Sequence, residues 1–468
     1  MGDKCKLKVV DVCHVSPPPG SVLSTSVPLT YFDIPWFLCC PIQRLFFYEF
    51  PHPTQDFMEL VLPNLKNSLS LTLQHFFAFA SKLICPPRPE KPHILYLDGN
   101  SVPLTIVEIS GDSNFNHLIA DYPKDVKDSH PFVPHLPSEL ILEDGTRSIP
   151  LMAIQVTVFH NCGLSIGVTF HHVAADGRSF HHFMKSWASI CRNTEGDYSI
   201  TLPFHDRSVV KDPNGIEMNL LTLQWSLEKE FKKDTGVSHD ILADNLRATF
   251  VLSLAHIDKL KQWVSGSVKC KSNELVSIHI STFVVTSALI WVCLVKSEEE
   301  SKAKEFSDNY TETFYHFAFP ADCRNRFELS IPETYFGNCL DLCFVSLKRK
   351  ELVGENGIVE AAKAIGKKVR ELETVALRGA DRWILDYKEK MESGKIISLA
   401  GSPKLGVYET NFGWGKPKKS EVVHIDTTGS FALSDCKDGE SGIEVSLVLD
   451  RTQMNNFNAY FEDLLKGP

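Results

Sequence analysis

His171-His172-Val173-Ala174-Ala175-Asp176-Gly177 is the stretch on which the reading of this chain turns. Ahead of it, Ile154 to Phe159 and Leu164 to Phe170 are apolar, β-branched runs that predict two strands. His160-Asn161-Cys162-Gly163 between them predicts a hairpin turn. Beyond Gly177, Ser179 to Ile190 predicts a helix, with Phe180, Phe183, Met184, Trp187 and Ile190 at helical spacing. His172 therefore stands where a strand gives way to a loop and then a helix, a junction able to aim a side chain into a cleft. A neutral imidazole is a base at physiological pH. Asp176, four residues on, either orients that imidazole or holds the loop. Gly177 admits backbone angles closed to other residues. On this stretch alone, a purely structural histidine is an equal alternative.

Other chemistries are weaker. Gly163-Leu164-Ser165-Ile166-Gly167 matches the hydrolase pattern G-x-S-x-G, but that motif needs its serine on a sharp strand-to-helix turn. Ser165 instead falls inside a run that continues as strand to Phe170. His171, His172, Asp176, His181 and His182 are close enough in sequence to raise a metal site. Adjacent residues of an extended chain point to opposite faces, and helical neighbours diverge by about 100°. One histidine of each pair plus Asp176 is the most that could converge. No phosphate-binding loop is present, and no G-x-G-x-x-G follows a strand.

A chain of 468 residues with 43% hydrophobic content can bury a large core and points to two domains or more. The net charge of −10 disfavours nucleic acid as a general partner. Thirteen cysteines, odd in number and without C-x-x-C pairs, read as reduced thiols in the cytosol. The polar start, Met1 to Val10, does not resemble a signal peptide, and Lys6 breaks the myristoylation pattern. Phe283 to Val295 is too short to span a bilayer, which takes about 20 residues, and reads as a buried helix.

Further strands are predicted at Lys8 to Val12, Leu45 to Phe50, Ala248 to Leu254, Val276 to Ile280 and Thr313 to Phe319. Met58 to Gln74 predicts an amphipathic helix with Leu60, Val61, Leu65, Leu69 and Leu73 inward, and Pro63 either kinks it or marks its first turn. His256 to Val264 and Gly357 to Leu372 predict helices too. The charged run Ser297 to Lys304 reads as a solvated loop. Periodicity fails from Glu195 to Asp212, and Pro213 and Gly215 follow. The expected organisation is therefore α/β. An N-terminal domain (1–195), a crossover (196–215) and a C-terminal domain (216–468) are expected, with a cleft between the halves.

Three further stretches lift the histidine reading. They are Tyr335-Phe336-Gly337-Asn338-Cys339, Asn411-Phe412-Gly413-Trp414-Gly415-Lys416-Pro417 and Ala321-Asp322-Cys323-Arg324. With His172-x-x-x-Asp176-Gly177, in this order and at this separation, the chain resembles the plant BAHD acyl-CoA-dependent acyltransferases. Tyr335 to Cys339, Leu29 to Trp36, Asn67 to Leu73 and Asp206 to Ser208 are similar to the clade acting on anthocyanins and phenolic glucosides, many of them malonyltransferases.

The resemblance implies two similar-sized mixed-sheet domains with a solvent channel between them and His172 mid-channel as general base. It implies that Asp176 is structural and pairs with Arg324. It implies an architectural Asn411-Phe412-Gly413-Trp414-Gly415 stretch, although the family usually has Asp where Asn411 stands. Ala78 and Ser81 also depart from the clade, which usually shows Pro and Gly there. Lys259, Lys261, Ser281, Thr282 and Phe283 match the family's CoA contacts, and CoA phosphates favour such basic and N–H-rich sites. The implied donor is malonyl-CoA, with hydroxycinnamoyl-CoA as the alternative. The acceptor is a sugar hydroxyl of an anthocyanin, flavonoid or other phenolic glucoside. A malonyl carboxylate needs a cation, for which Arg44 and Arg178 are the candidates. The expected protein is a cytosolic monomer holding no metal or bound cofactor and meeting neither membrane nor nucleic acid. A non-catalytic phenolic-binding relative is the alternative of a different class.

Overall fold

The two runs ahead of the histidine pair form the strands Met152–Phe159 and Gly163–Phe170, antiparallel, with Asn161 in the turn at φ 54°. Every residue of both strands is buried, because the sheet is covered on both faces; this is why the runs show no clean alternation. Leu164, Ile166, Val168 and Phe170 face a core completed by Phe180, Phe183, Met184 and Trp187 of the helix Gly177–Arg192. Leu65, Leu69 and Leu73 of the helix Leu62–Leu73 join the same core. Burying each such side chain is worth about 1.5–3 kcal/mol. Packing thus clamps the strand before His172 to the helix after it.

The computed structural model describes all residues except 1–5, 111–114, 194–199, 235–243, 272–279, 303–311, 327, 428, 440–441 and 467–468. Its architecture is α/β, built on two large mixed sheets. The first runs Lys6–Val15, Val102–Ser110, Met152–Phe159, Gly163–Phe170, Ile42–Glu49, Lys419–Val422 in spatial order. The second runs Leu340–Lys348, Phe314–Asp322, Gly394–Ala400, Phe431–Asp435, Ile443–Asp450, Asn245–Leu252, Lys124–Asp125. A five-stranded sheet flanks the first half. The helix Thr282–Lys302 is buried on all sides from Val284 to Val295, in the core of the second half. No helix among the described residues is long and apolar enough to cross a membrane.

Several expectations need correction. Leu60 is not a core residue but is 73% exposed. Residues Phe57–Val61 form a π turn, whose wider pitch rotates Leu60 out of the apolar stripe before Pro63 opens the α-helix. Ser297 to Lys302 is not loop but the end of the long helix. Glu and Lys are good helix formers. Glu298 also accepts a hydrogen bond from the Tyr315 hydroxyl at 3.0 Å, which tethers this end to the sheet. Of the proposed strand at Val276 to Ile280, residues 276–279 lie outside the described residues. Within the described part of the expected crossover, 200–215, Phe204 bridges to Tyr335 and Arg207 is buried.

Each half lends a strand to the other. Lys124–Asp125 pairs with Asn245–Leu252, and Lys419–Val422 pairs with Ile42–Glu49. Charge is buried at this seam. Glu421 lies 3.2 Å from Lys124 and 3.0 Å from Arg247, all three almost fully enclosed. Arg247 also pairs with Asp426, and Lys419 with Asp121 at 2.6 Å. Burial pushes the Glu421 pKa up, but Lys124, Lys419 and Arg247 outweigh it and hold it near 2. The folded-state value is depressed, so this contribution to stability is present above the ordinary glutamate range and is lost as pH falls towards 2. Glu421→Ala leaves Lys124 enclosed without its carboxylate and Arg247 with Asp426 alone, and should cost about 3–5 kcal/mol. Denaturant unfolding at neutral pH checks this, and a change within 1 kcal/mol would contradict the role given to the seam.

Candidate active site

His172 opens a short 3₁₀ turn, His172–Ala174, and Asp176 caps the helix that follows by accepting from Ser179 N at 2.9 Å. The other Asp176 oxygen accepts from Arg324 Nη1 at 2.8 Å and from Cys339 N at 3.1 Å. The Asp176 and Arg324 side chains are wholly enclosed. Arg324 also donates through Nε to Tyr335 O, through Nη1 to Asp322 and through Nη2 to Ser179 Oγ and Gly337 O, all within 3.0 Å. The expected Asp176–Arg324 pair is therefore present, and it fastens the His172 loop to the second half of the chain.

Tyr335 to Cys339 wraps that loop. Gly337 N donates to Ser179 Oγ at 3.1 Å, and Gly337 O accepts from the same hydroxyl at 2.9 Å. Gly337 has φ 138°, and a Cβ there would collide with the Arg207 guanidinium, so only glycine fits. Asn338 Nδ2 donates to His172 O at 2.9 Å, Val173 O at 3.3 Å and Asp33 Oδ1 at 3.1 Å. Three acceptors around one atom fix it as the amide nitrogen. The opposite atom, Oδ1, therefore faces His172 Nδ1 at 3.1 Å as an acceptor. Nδ1 must then carry the proton, which leaves Nε2 with the free lone pair. Burial holds the His172 pKa below the ordinary value, opposed by Asp176, Asn338 and Asp33. The ring is neutral at physiological pH and able to accept a proton at Nε2.

The neighbouring His171 is occupied by a contact of its own. His171 Nδ1 caps the turn by accepting from Val173 N, and burial, with the nearby charges of His172 and Arg147, pushes its pKa down to about 4. Ser165 is fully buried within its strand, as its sequence context predicts. Among the described residues no cluster of three or more His, Cys, Asp or Glu could hold a metal ion.

The other sequence candidates are scattered. Asn411 Oδ1 accepts from Gly413 N at 2.9 Å and Gly415 N at 3.1 Å, closing a turn whose glycines have φ 114° and 107°. Trp414 packs edge-on against Tyr48 and Phe50. Gly413 abuts Arg192, at the far end of the helix from Gly177. Sixteen residues of helix span about 24 Å, so this turn stands well away from His172. Arg44 alternates with Phe46 and Tyr48 towards the face covered by Gly177–Arg192, is buried, and donates to Ser420 Oγ at 3.2 Å. Arg178 pairs with Asp322 at 2.8 Å and with Glu333. Lys259 is exposed and Lys261 half-buried on the helix Leu254–Lys271, which packs against Thr282–Lys302. Ser281 Oγ caps the latter helix by accepting from Val284 N, Thr282 opens it, and Phe283 leans on Phe319.

Three residues around His172 escaped the sequence reading of function: Asn338, Asp33 and Trp36. Each lay inside a stretch quoted for its resemblance, but nothing in the spacing shows that residues 33, 36, 172 and 338 meet.

A profile of the Transferase family matches residues 15–464. This chain is a BAHD acyltransferase. The acyltransferase is 39% identical to the Arabidopsis thaliana coumaroyl-CoA:anthocyanidin 3-O-glucoside-6''-O-coumaroyltransferase 1, over 98% of this chain and 97% of the relative. It is 37% identical to the Dahlia pinnata malonyl-coenzyme A:anthocyanin 3-O-glucoside-6''-O-malonyltransferase, over 98% of each. Its fold is similar to vinorine synthase (TM-score 0.67, 18% identity, 98% of each chain). It is equally similar to F. graminearum TRI101 complexed with ethyl coenzyme A (TM-score 0.67, 15% identity, 93% of this chain and 97% of the other). As an acyltransferase of this family it uses acyl-CoA as co-substrate.

Two outcomes follow from this geometry. Asp176→Ala leaves Arg324 enclosed without its closest partner and should cost about 3–5 kcal/mol, lowering melting temperature and activity together; normal stability with a clean catalytic loss would instead give Asp176 a chemical role. Asn411→Asp keeps an acceptor for both glycine N–H groups, so kcat should change less than tenfold, about 1.4 kcal/mol. A gain of orders of magnitude would make position 411 a second base.

Proposed function

We propose that this acyltransferase moves an acyl group from acyl-CoA to a sugar hydroxyl of an anthocyanin, flavonoid or other phenolic glucoside, with His172 as sole general base. What carries the reading is the contact of His172 Nδ1 with Asn338 Oδ1, because it leaves Nε2 as the basic atom. Nε2 takes the hydroxyl proton, the oxygen attacks the thioester carbonyl, and the C–S bond breaks as the tetrahedral intermediate collapses. The proton passes from Nε2 to the departing thiolate, so His172 ends neutral. General base catalysis contributes about 10²- to 10⁴-fold, and holding both reactants in one channel supplies much of the remainder. Lys259, Lys261 and the helix start at Ser281, Thr282 and Phe283 form the CoA side, where basic side chains and free N–H groups suit phosphate. The protein works as a cytosolic monomer.

For the donor, the surroundings of the two arginines favour hydroxycinnamoyl-CoA. Arg178 already meets two carboxylates, and Arg44 is enclosed beneath the helix Gly177–Arg192. A malonyl carboxylate would have to compete with Asp322 and Glu333 for its cation. Malonyl-CoA is the second reading, supported by the name of the Dahlia relative, 37% identical.

Thiol release with coumaroyl-CoA or malonyl-CoA and a flavonoid 3-glucoside tests both levels. Turnover should be faster with coumaroyl-CoA, and a malonyl preference reverses the donor assignment. No turnover with any donor on any phenolic glucoside would leave the non-catalytic alternative. His172→Ala should cut kcat at least about 10²-fold with CoA binding retained, and His171→Ala should be far milder. Because protonated His172 is no base, kcat/KM should fall as pH drops through a midpoint below 6.5. Comparable losses in both histidine variants would overturn the assignment.

A further inference from the structure

We propose that Trp36 is a positioning residue for the base: its indole lies flat on the His172 ring, fixes the plane in which Nε2 points, and stabilises the imidazolium formed when the hydroxyl proton is taken up. This rests on the reading of His172 as general base.

The two rings stack with centroids 3.9 Å apart and planes 6° from parallel. Such contact over the whole face is the arrangement in which an aromatic quadrupole stabilises a cation, and tryptophan does so best. Trp36 is itself held. It sits in the 3₁₀ turn Ile34–Leu38, where its N–H donates to Asp33 O at 3.3 Å and Pro35 stiffens the start. Asp33 is wholly buried, and its Oδ2 accepts from Thr30 N and Oγ1 at 2.8 and 2.9 Å. Its Oδ1 accepts from Asn338 N and Nδ2. One short segment therefore grips the imidazole twice, by its edge through Asp33 and Asn338 and by its face through Trp36. With Nδ1 anchored and the ring plane set, the direction of the Nε2 lone pair has no freedom left.

Charge around His172 points the same way. On its own loop stand His171, uncharged at neutral pH, and Asp176, paired with Arg324. From the Trp36 segment comes Asp33, with Arg207 3.6 Å away. From the stretch after the seam strand comes His424, which burial, with Arg44, His172 and Arg247 nearby, holds down to about 3. Tyr335 to Cys339 contributes only the neutral Asn338. Both carboxylates are thus matched by arginines, and the indole face lies directly on the ring that must become positive.

The test is the pH dependence of kcat/KM in the full-length enzyme and in Trp36→Phe and Trp36→Leu. Removing the indole face should move the acid limb to lower pH by about 0.5–1.5 units in Trp36→Leu, with Trp36→Phe between it and the parent. A packing role alone would lower melting temperature and plateau activity but leave the limb where it is. Should Trp36→Leu not fold, Trp36→Phe carries the test, since its weaker face must still shift the limb downwards. An unmoved or raised limb overturns the proposal while leaving His172 as base. His172→Ala in the same series separates the two, because retained activity there removes the base reading and this inference with it.

Discussion

Asp176 and Arg324 meet inside the protein with neither side chain reaching water. Two enclosed ions are tolerable only if their remaining hydrogen-bonding atoms are satisfied. Here they are, by Ser179, Tyr335, Gly337, Cys339 and Asp322. Those partners come from both halves of the chain. Satisfying one charge pair thus obliges the loop after one sheet and the stretch before a strand of the other to lie against each other. Asn338 reaches His172 because it sits between Gly337 and Cys339, which this network ties down. The Asp176–Arg324 pair, which does not touch His172, therefore places the Asn338 contact that sets its tautomer.

The same logic repeats at the exchanged strands. Lys124, Arg247, Glu421 and Asp426 would each be costly alone, and together they make the register of the exchanged strands hard to shift. With one ionic cluster on the loop and one at the seam, the two sheets are fixed at two separate places. A His172 loop held by residues of both halves needs that rigidity, since small misplacements of a reacting group cost much of the advantage of proximity.

Local elements were legible in the sequence where one force dominated. The strands around His160 to Gly163 follow from apolar, β-branched runs and the helix after Gly177 from its apolar spacing. Leu60 was misread because a π turn leaves no mark on hydrophobic spacing, and Ser297 to Lys302 because charge was weighed above helix propensity and the tether to Tyr315 was invisible. The role proposed for His172 and the Asp176–Arg324 pair came through motif resemblance, since Asp176 and Arg324 are 148 positions apart and no spacing rule joins them. Arg44 and Arg178 looked alike as free cations in the sequence; only packing shows one beneath a helix and the other between carboxylates. The contacts of Asn338, Asp33 and Trp36 are tertiary throughout, and composition carries no trace of them.

The strand Lys419–Val422 has a bearing on how the chain is made. Ile42–Glu49 has it as a neighbour on one side, and it is among the last strands to be synthesised. While a ribosome extends the chain, the first sheet, complete but for this strand once Phe170 is made, must wait through roughly 250 residues with that flank open. An open flank pairs readily with other chains. Glu49 at the end of Ile42–Glu49 puts a charge on that flank during the wait, and in the finished fold it pairs with Lys418. Vectorial synthesis therefore leaves the first half of this protein dependent on the second for closure, and a nascent chain halted before residue 419 exposes a sheet edge that the finished enzyme never shows.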